Sequence, residues 1–154
     1  MATLYLSLGT NLGDRQSNLE TARTLIGQRI GTVQAASGII ETEPWGFDSP
    51  NSFLNMALAV NTDMSPMEAL KATQAIEKEM GRRSKSRNSR YSDRIIDIDL
   101  IMYDDQVTDL PMLKIPHPLM HRRRFVLEPL SEIAPDLEHP VLHKTVRELL
   151  EETR

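Results

Sequence analysis

The sequence predicts an α+β sandwich in the order β-α-β-β-α-β, with further strand and helix segments toward the C-terminus. Three observations carry this. Thr3 to Leu8 alternates, with Leu4, Leu6 and Leu8 on one face. Ser65-Pro66-Met67-Glu68 is a capping box with proline at the first helical position, and the helix it opens ends at Gly81. The run Arg94-Ile95-Ile96-Asp97-Ile98-Asp99-Leu100-Ile101-Met102-Tyr103 reads as a mostly buried strand interrupted by two carboxylates.

Taken in order, Thr3 to Leu8 is the first strand and Gly9 to Asp14 a turn, with Asp14 as N-cap. Leu19, Ala22, Ile26 and Ile30 then form a helical stripe. Thr32 to Thr42 is a second strand with a weak apolar pattern, and Glu43 to Asn51 is a loop, since two prolines and a glycine forbid a regular element. Phe53 to Asn61 is the third strand. Ala69, Thr73, Ile76 and Met80 mark one face of the second helix. Residues 82–94 lack periodicity and read as a loop before the Asp97/Asp99 strand. Leu110 to Pro118 is extended, Phe125 to Ile133 is short and partly helical, and Val146 to Leu150 closes in a helix. This is the order of the ferredoxin-like split βαβ arrangement, with helices on one sheet face. Residues 1–154 are expected to form a single domain.

The 40% hydrophobic and 26% charged residues are ordinary for a soluble globular chain. The net charge of −4 is unevenly spread. Residues 82–94 hold five Arg and one Lys against one Asp, or +5, leaving −9 elsewhere. A general nucleic-acid binder is basic overall, whereas a basic segment on an acidic body suits a small polyanion. The absence of cysteine excludes disulfides, thiolate metal sites and Cys nucleophiles. No apolar run approaches the ~18 residues of a membrane span, and no basic-then-apolar leader opens the chain. The expected location is the cytoplasm.

Asp97 and Asp99 share a strand face, roughly 7 Å apart. Charges on a buried strand need cations, and the arginine-rich lead-in supplies some. Mg²⁺ takes one or two carboxylates plus phosphate oxygens, and Arg matches phosphate geometry. The combination suits a Mg²⁺–phosphate site; the plain alternative is an edge strand with a solvated acidic face. The basic loop is by composition a surface turn, yet a loop mobile when empty can close over phosphates and exclude water. Trp45, Phe47 and Phe53 cluster in an aromatic-poor chain, where they could stack on a flat ring with Asn55 offering a paired donor and acceptor. Pro116-His117-Pro118 and His121-Arg122-Arg123-Arg124-Phe125 add a second basic group. No zinc spacing, nucleophile elbow, P-loop or Rossmann turn is present.

With these residues in view, the chain resembles the monofunctional 6-hydroxymethyl-7,8-dihydropterin pyrophosphokinases. The resemblance spans about the whole chain. It is carried by GTNLGD at 9–14, TEPWG at 42–46, FLN at 53–55 and QAIEKEMGR at 74–82, and above all by RYSDRIIDIDLI at 90–101 and IPHPLMHRRRFVLEPLSEIAP at 115–135. It implies ATP as co-substrate, two Mg²⁺ ions, and transfer of the β,γ-diphosphate to a dihydropterin hydroxymethyl oxygen with release of AMP. It also implies roles by position. Asp97 and Asp99 hold both metals, and Arg82 and Arg94 face the phosphates. Lys85, Arg87 and Arg90 belong to a mobile catalytic loop with Tyr91 as its aromatic. Gln74, Glu77, Leu100, His117 and Arg123 line the ATP site. Thr42, Pro44, Trp45, Phe53, Asn55 and Phe125 form the pterin pocket, with the ring between Phe53 and Phe125. Tyr91-Ser92-Asp93-Arg94 departs from the usual Trp-small-Pro-Arg lid. Met112 and Lys114 stand where some members place other polar contacts to the nucleotide.

Phosphoryl-type transfer depends mostly on positioning and charge neutralisation, so no general base is required. A ferredoxin-like RNA-binding module lacks support, because the RNP aromatics are missing and the body is acidic. A non-catalytic scaffold would make the aspartate pair incidental; Mg²⁺-dependent ATP binding separates it from an enzyme. The expected partners are ATP and the pterin, with neither nucleic acid nor membrane, and the chain is expected to be a monomer.

Overall fold

A computed structural model describes residues 1–43, 51–81 and 95–153. Its elements run β1 (Ala2–Thr10), α1 (Arg15–Arg29), β2 (Thr32–Ala36), β3 (Ile40–Thr42), β4 (Phe53–Thr62), α2 (Pro66–Met80), β5 (Asp97–Tyr103), β6 (Thr108–Leu110), β7 (Leu113–Ile115), a 3₁₀ turn (Met120–Arg122), α3 (Arg124–Ile133) and α4 (Val146–Glu152). The main sheet is antiparallel, in the order β2-β4-β1-β5, with β3 also on β4. That is the ferredoxin-like strand order. β6 and β7 form a separate hairpin.

Capping chemistry sets the helices. Asp14 accepts from the Ser17 amide at 3.1 Å, and Gly13 (φ 71°) supplies the left-handed bend before it. Asn18 Nδ2 donates back to the Leu12 carbonyl and to Thr10 Oγ1, which pins the 9–14 turn onto α1. Ser65 and Glu68 complete the reciprocal box at α2, and Thr145 and Glu148 repeat it at α4. Ile30 caps the end of α1, and Gly31 then crosses β4 so closely that an added Cβ would overlap the Asn61 carbonyl oxygen.

The first core lies between the sheet and α1/α2. Leu4, Leu6 and Leu8 of β1 meet Met56, Leu58 and Val60 of β4 and Ile98 and Leu100 of β5, beneath Leu19, Ala22, Ile26, Ala69 and Ile76. Leu4, Leu6, Leu8 and Leu58 are fully buried, each contributing ~1.5–3 kcal/mol.

Two features differ from the sequence expectation. The segment expected as one strand over 32–42 is two. The Ser37 amide donates to the Ala57 carbonyl, the Ser37 hydroxyl rather than its carbonyl accepts from the Ala57 amide, and the Gly38 amide turns away to Glu132 Oε1 at 3.0 Å. These side-chain bonds replace the ladder and break the strand. Nor do the helices cover only one sheet face. α3 and α4 pack Val126, Leu127, Leu130, Val146 and Leu149 over Ala57, Ile101 and Met102 as a second core. A register shift between Tyr5 and Leu6 leaves Ile101 as an extra residue in β5, so Ile101 and Met102 both reach the second core. Strict alternation would have sent one of them to the first.

Candidate active site

The second face of the sheet changes character along its length. α3 and α4 cover one end. The other end presents polar residues in two rows, as the register shows. Asn55 on β4, Gly9 on β1 and Asp97 on β5 stand side by side, and Ala57, Ser7 and Asp99 form the next row. Asp97 and Asp99 share this face while Ile96, Ile98 and Leu100 enter the first core, as their alternation predicts. Gly9 leaves a gap in the first row; an added Cβ there would stand 3.2 Å from Asn55 Oδ1 and 3.5 Å from Phe53 Cδ1.

On the β4 side, Asn55 is buried and its Nδ2 donates to Thr42 Oγ1 at 2.6 Å. Thr42 pairs with Phe53 in the register. Phe53 and Phe125 are each half-buried. Phe125 opens α3 and packs on the second core.

On the β5 side the electrostatics are dense. Arg123 is buried, its Nη1 lies 3.9 Å from Asp99 Oδ2, and its guanidinium carbon sits 5.5 Å from the Phe125 ring centroid. Burial pushes His117 down to about 4, the Arg123 charge adds to this, and Asp97 opposes it. His117 is therefore neutral at pH 7. Its Nδ1 accepts from the Leu119 amide at 3.1 Å, so the proton is on Nε2 and offers a neutral donor. Asp99, Leu100 and His117 border a cavity of about 250 Å³ together with Leu70 and with Met112 and Lys114 of the β6–β7 hairpin. The sequence predicts only an extended stretch over Leu110 to Pro118, where the structure has the β6–β7 hairpin.

Glu77 reaches the carboxylates from α2. Its Oε2 accepts from the Ile98 amide at 2.8 Å on the outer edge of β5. Burial, then the charges of Asp97 and Asp99, pushes its carboxyl from 4.5 up to about 8 against that stabilising amide. The folded chain thus keeps this proton to higher pH than the unfolded chain. The resulting stability is complete below about pH 4.5 and declines as pH rises toward about 8. Glu77→Gln keeps an acceptor for Ile98 and removes the charge. The ligand-free variant is expected to be more stable than wild type at pH 8 by about 2–4 kcal/mol, with a flatter pH dependence. Denaturant unfolding at pH 5 and pH 8 checks this; equal pH slopes for the two proteins would remove the proton from Glu77.

Among the described residues no group of three or more His, Asp or Glu is arranged to hold a metal by itself. Two hard carboxylates remain, and that donor set fits a Mg²⁺ ion whose other ligands are phosphate oxygens. Gln74 lies on the exposed side of α2, one turn before Glu77. Pro44, Trp45, Arg82, Lys85, Arg87, Arg90, Tyr91 and Arg94 lie outside the described residues. Ser7 and Gly9 were missed in the sequence. The alternation of β1 was the available signal, but residue 9 had been assigned to the turn. No helix among the described residues is long and apolar enough to cross a membrane.

Comparison with known proteins bears on the same residues. The family model described as 7,8-dihydro-6-hydroxymethylpterin-pyrophosphokinase (HPPK) matches residues 5–135. A 2-amino-4-hydroxy-6-hydroxymethyldihydropteridine pyrophosphokinase of Porphyromonas gingivalis is 48% identical over 141 residues, covering 91% of this chain and 95% of its own. Identically named proteins of Aquifex aeolicus and Bacillus subtilis are 37% and 40% identical, over 96% and 87% of this chain and 90% and 79% of theirs. Among solved structures, Plasmodium falciparum HPPK-DHPS with pteroate superposes with a TM-score of 0.78 at 20% identity, covering 98% of this chain and 42% of that one. At that identity the superposition speaks for the fold alone. Its agreement with the β2-β4-β1-β5 sheet joins a family match that spans the Asn55, Asp97 and Asp99 strands, and the chain belongs to the 7,8-dihydro-6-hydroxymethylpterin-pyrophosphokinase family.

Proposed function

We propose that residues 1–154 act as one Mg²⁺-dependent diphosphotransferase domain. It moves the β,γ-diphosphate of ATP to the hydroxymethyl oxygen of 6-hydroxymethyl-7,8-dihydropterin and releases AMP. The pyrophosphokinase class and its place in folate biosynthesis come with the family. The observation that carries the finer reading is the row Asn55–Gly9–Asp97. A hydrogen-bonding amide and a carboxylate pair stand two strands apart, about 10 Å, and Gly9 between them contributes no side chain. A small ring held at Asn55 reaches the carboxylates with a short substituent.

In this reading Asn55 and Thr42 take the polar edge of the pterin, and Phe53 and Phe125 take its faces. Pro44, Trp45 and Tyr91 complete the pocket. Leu100, His117, Gln74 and Glu77 border the nucleotide; the Nε2 proton of His117 donates to it. Arg123, with Arg82, Arg94, Lys85, Arg87 and Arg90, balances phosphate charge. Asp97 and Asp99 would hold two Mg²⁺ ions, which when bound would supply charge neutralisation at the phosphates and lower the pKa of the attacking hydroxyl. The hydroxymethyl oxygen forms its bond to the β-phosphorus as the bond from that phosphorus to the α-bridging oxygen breaks. The hydroxyl proton leaves to solvent.

The test is AMP release from ATP by the purified chain with Mg²⁺, in the presence and absence of hydroxymethyldihydropterin. Pterin-dependent AMP is expected; ADP, or AMP formed equally without pterin, overturns the reading. Phe125→Ala is expected to weaken pterin binding by about 0.5–1.5 kcal/mol or more and to leave the affinity for an ATP analogue nearly unchanged. Titration calorimetry of both ligands checks this, and the reverse selectivity would assign Phe125 to the core.

A further inference from the structure

We infer that Arg15 is a positioning residue for the pterin half of the site, and that it acts by clamping the end of β3 to the start of β4. The inference rests on the proposed pterin site. Arg15 is the first residue of α1, just behind the Asp14 cap and the Gly13 bend, so its backbone is fixed. Its Nη1 donates to Glu41 Oε2 at 3.2 Å and to the Ser52 carbonyl and Ser52 Oγ at 3.0 Å each. The Ser52 hydroxyl donates in turn to Glu41 Oε2, which closes the triangle. Asn11, buried in the same turn, adds a bond from its Nδ2 to the Asn51 carbonyl at 3.3 Å.

What the clamp grips gives it consequence. Glu41 immediately precedes Thr42, and Ser52 immediately precedes Phe53. Thr42 and Phe53 are register partners, at the last residue of β3 and the first of β4. Strand ends fray, and a terminal pair has ladder support on one side only. Here the missing side is supplied from α1. Thr42 then holds the Asn55 amide at 2.6 Å, and Phe53 stands against Gly9. Displacing this pair would rotate the Asn55 amide and shift one ring, while Asp97 and Asp99 lie two strands away and would not move.

A surface ion pair contributes little to stability. Glu41 is largely exposed, so the clamp should matter for geometry far more than for folding. Small misplacements in a site reduce rate and affinity well beyond the energy of the bond lost. Arg15→Ala is therefore expected to raise KM for the pterin by roughly 5- to 30-fold. KM for ATP, and the affinity for an ATP analogue measured without pterin, should change less than about 2-fold, the scale of a neutral surface substitution. Ser52→Ala removes the hydroxyl while leaving the carbonyl, and should give a smaller rise of the same kind. Arg15→Lys keeps one cationic donor nitrogen, as the Nη1 contacts use, on a shorter side chain, and should recover part of the loss.

The experiment is steady-state kinetics of the full chain and these three variants, with each substrate varied in turn and thermal unfolding recorded alongside. If Arg15→Ala does not fold, Ser52→Ala carries the test. A pterin KM unchanged in folded variants overturns the clamp. Equal rises in both KM values overturn it too, because they mark a general structural role. No pterin-dependent AMP from wild type overturns instead the function on which it rests.

Discussion

Replacing Asp97 or Asp99 with alanine is expected to lower turnover by about 100- to 1,000-fold or more, the loss typical of deleting one preorganised transition-state contact. The same replacement should leave the ligand-free protein as stable as wild type or more so. The two expectations come from one arrangement. Asp97 and Asp99 face each other's charge, and burial together with these two charges pushes Glu77 up to about 8. Arg123 Nη1 lies 3.9 Å from Asp99 Oδ2 and offsets part of this charge. Removing one carboxylate relieves the repulsion at no cost to the core, since both side chains lie on the open part of the second face. Activity and stability should therefore move in opposite directions. kcat from the AMP assay and an unfolding midpoint on the same preparation decide it. Near-normal turnover by a folded variant would sink the assignment.

Gly31→Ala should damage the protein in the opposite way, through folding alone. An added methyl carbon would overlap the Asn61 carbonyl oxygen and stand 3.0 Å from Thr62 Cα. Both obstacles are backbone of a central strand, fixed by pairing with β1 and β2. Neither can swing aside as a side-chain tip would. The Thr62 hydroxyl also holds the Ile30 carbonyl at 2.6 Å, so moving α1 outward breaks a buried hydrogen bond. Overpacking costs typically 1–3 kcal/mol and loss of that bond about 1 more, so ~3 kcal/mol in total is expected. Gly31 lies at the sheet end away from Asp97, so folded molecules of the variant should keep the wild-type KM. A variant with unchanged unfolding midpoint would show that the chain slackens there easily.

The parts of the fold set by local chemistry were legible in the sequence. Ser65, Pro66 and Gly81 bracket α2 where they were expected, because a capping box and a terminal glycine act within one turn. The faces of Asp97 and Asp99 followed from alternation. The extra residue at Ile101 did not, because a bulge depends on what β1 offers across the ladder. The split of β2 from β3 depends on Glu132, 94 residues from Gly38, taking its amide. The second helical layer was hidden because α3 and α4 are short, and their apolar faces do not name the sheet face they cover. The family resemblance implies Glu77 as a nucleotide contact. Its place beside Asp97 comes from the packing of α2 along the edge of β5, which neither segment encodes alone. Met112 and Lys114 border the cavity because a hairpin folds back over the strand before it.

The position of β1 bears on the order in which the chain can fold. It is the first strand in sequence and lies at the interior of the sheet, between β4 and β5. When residues through α2 have emerged, β1 can pair with β4, and the first two helices can begin to cover their shared face. The other edge of β1 then carries an unmatched row of amides and carbonyls, flanked by Leu4, Leu6 and Leu8. Such an edge templates association between chains. It closes only when β5 arrives, with Leu6 opposite Leu100. The strand that bears Asp97 and Asp99 thus also covers β1 and becomes the new border of the sheet, where Glu77 of α2 takes the Ile98 amide. Ile98 and Leu100 dock this strand on the core already formed. A chain interrupted before residue 97 should be prone to assemble with its own copies, and a chain that has passed residue 103 should not.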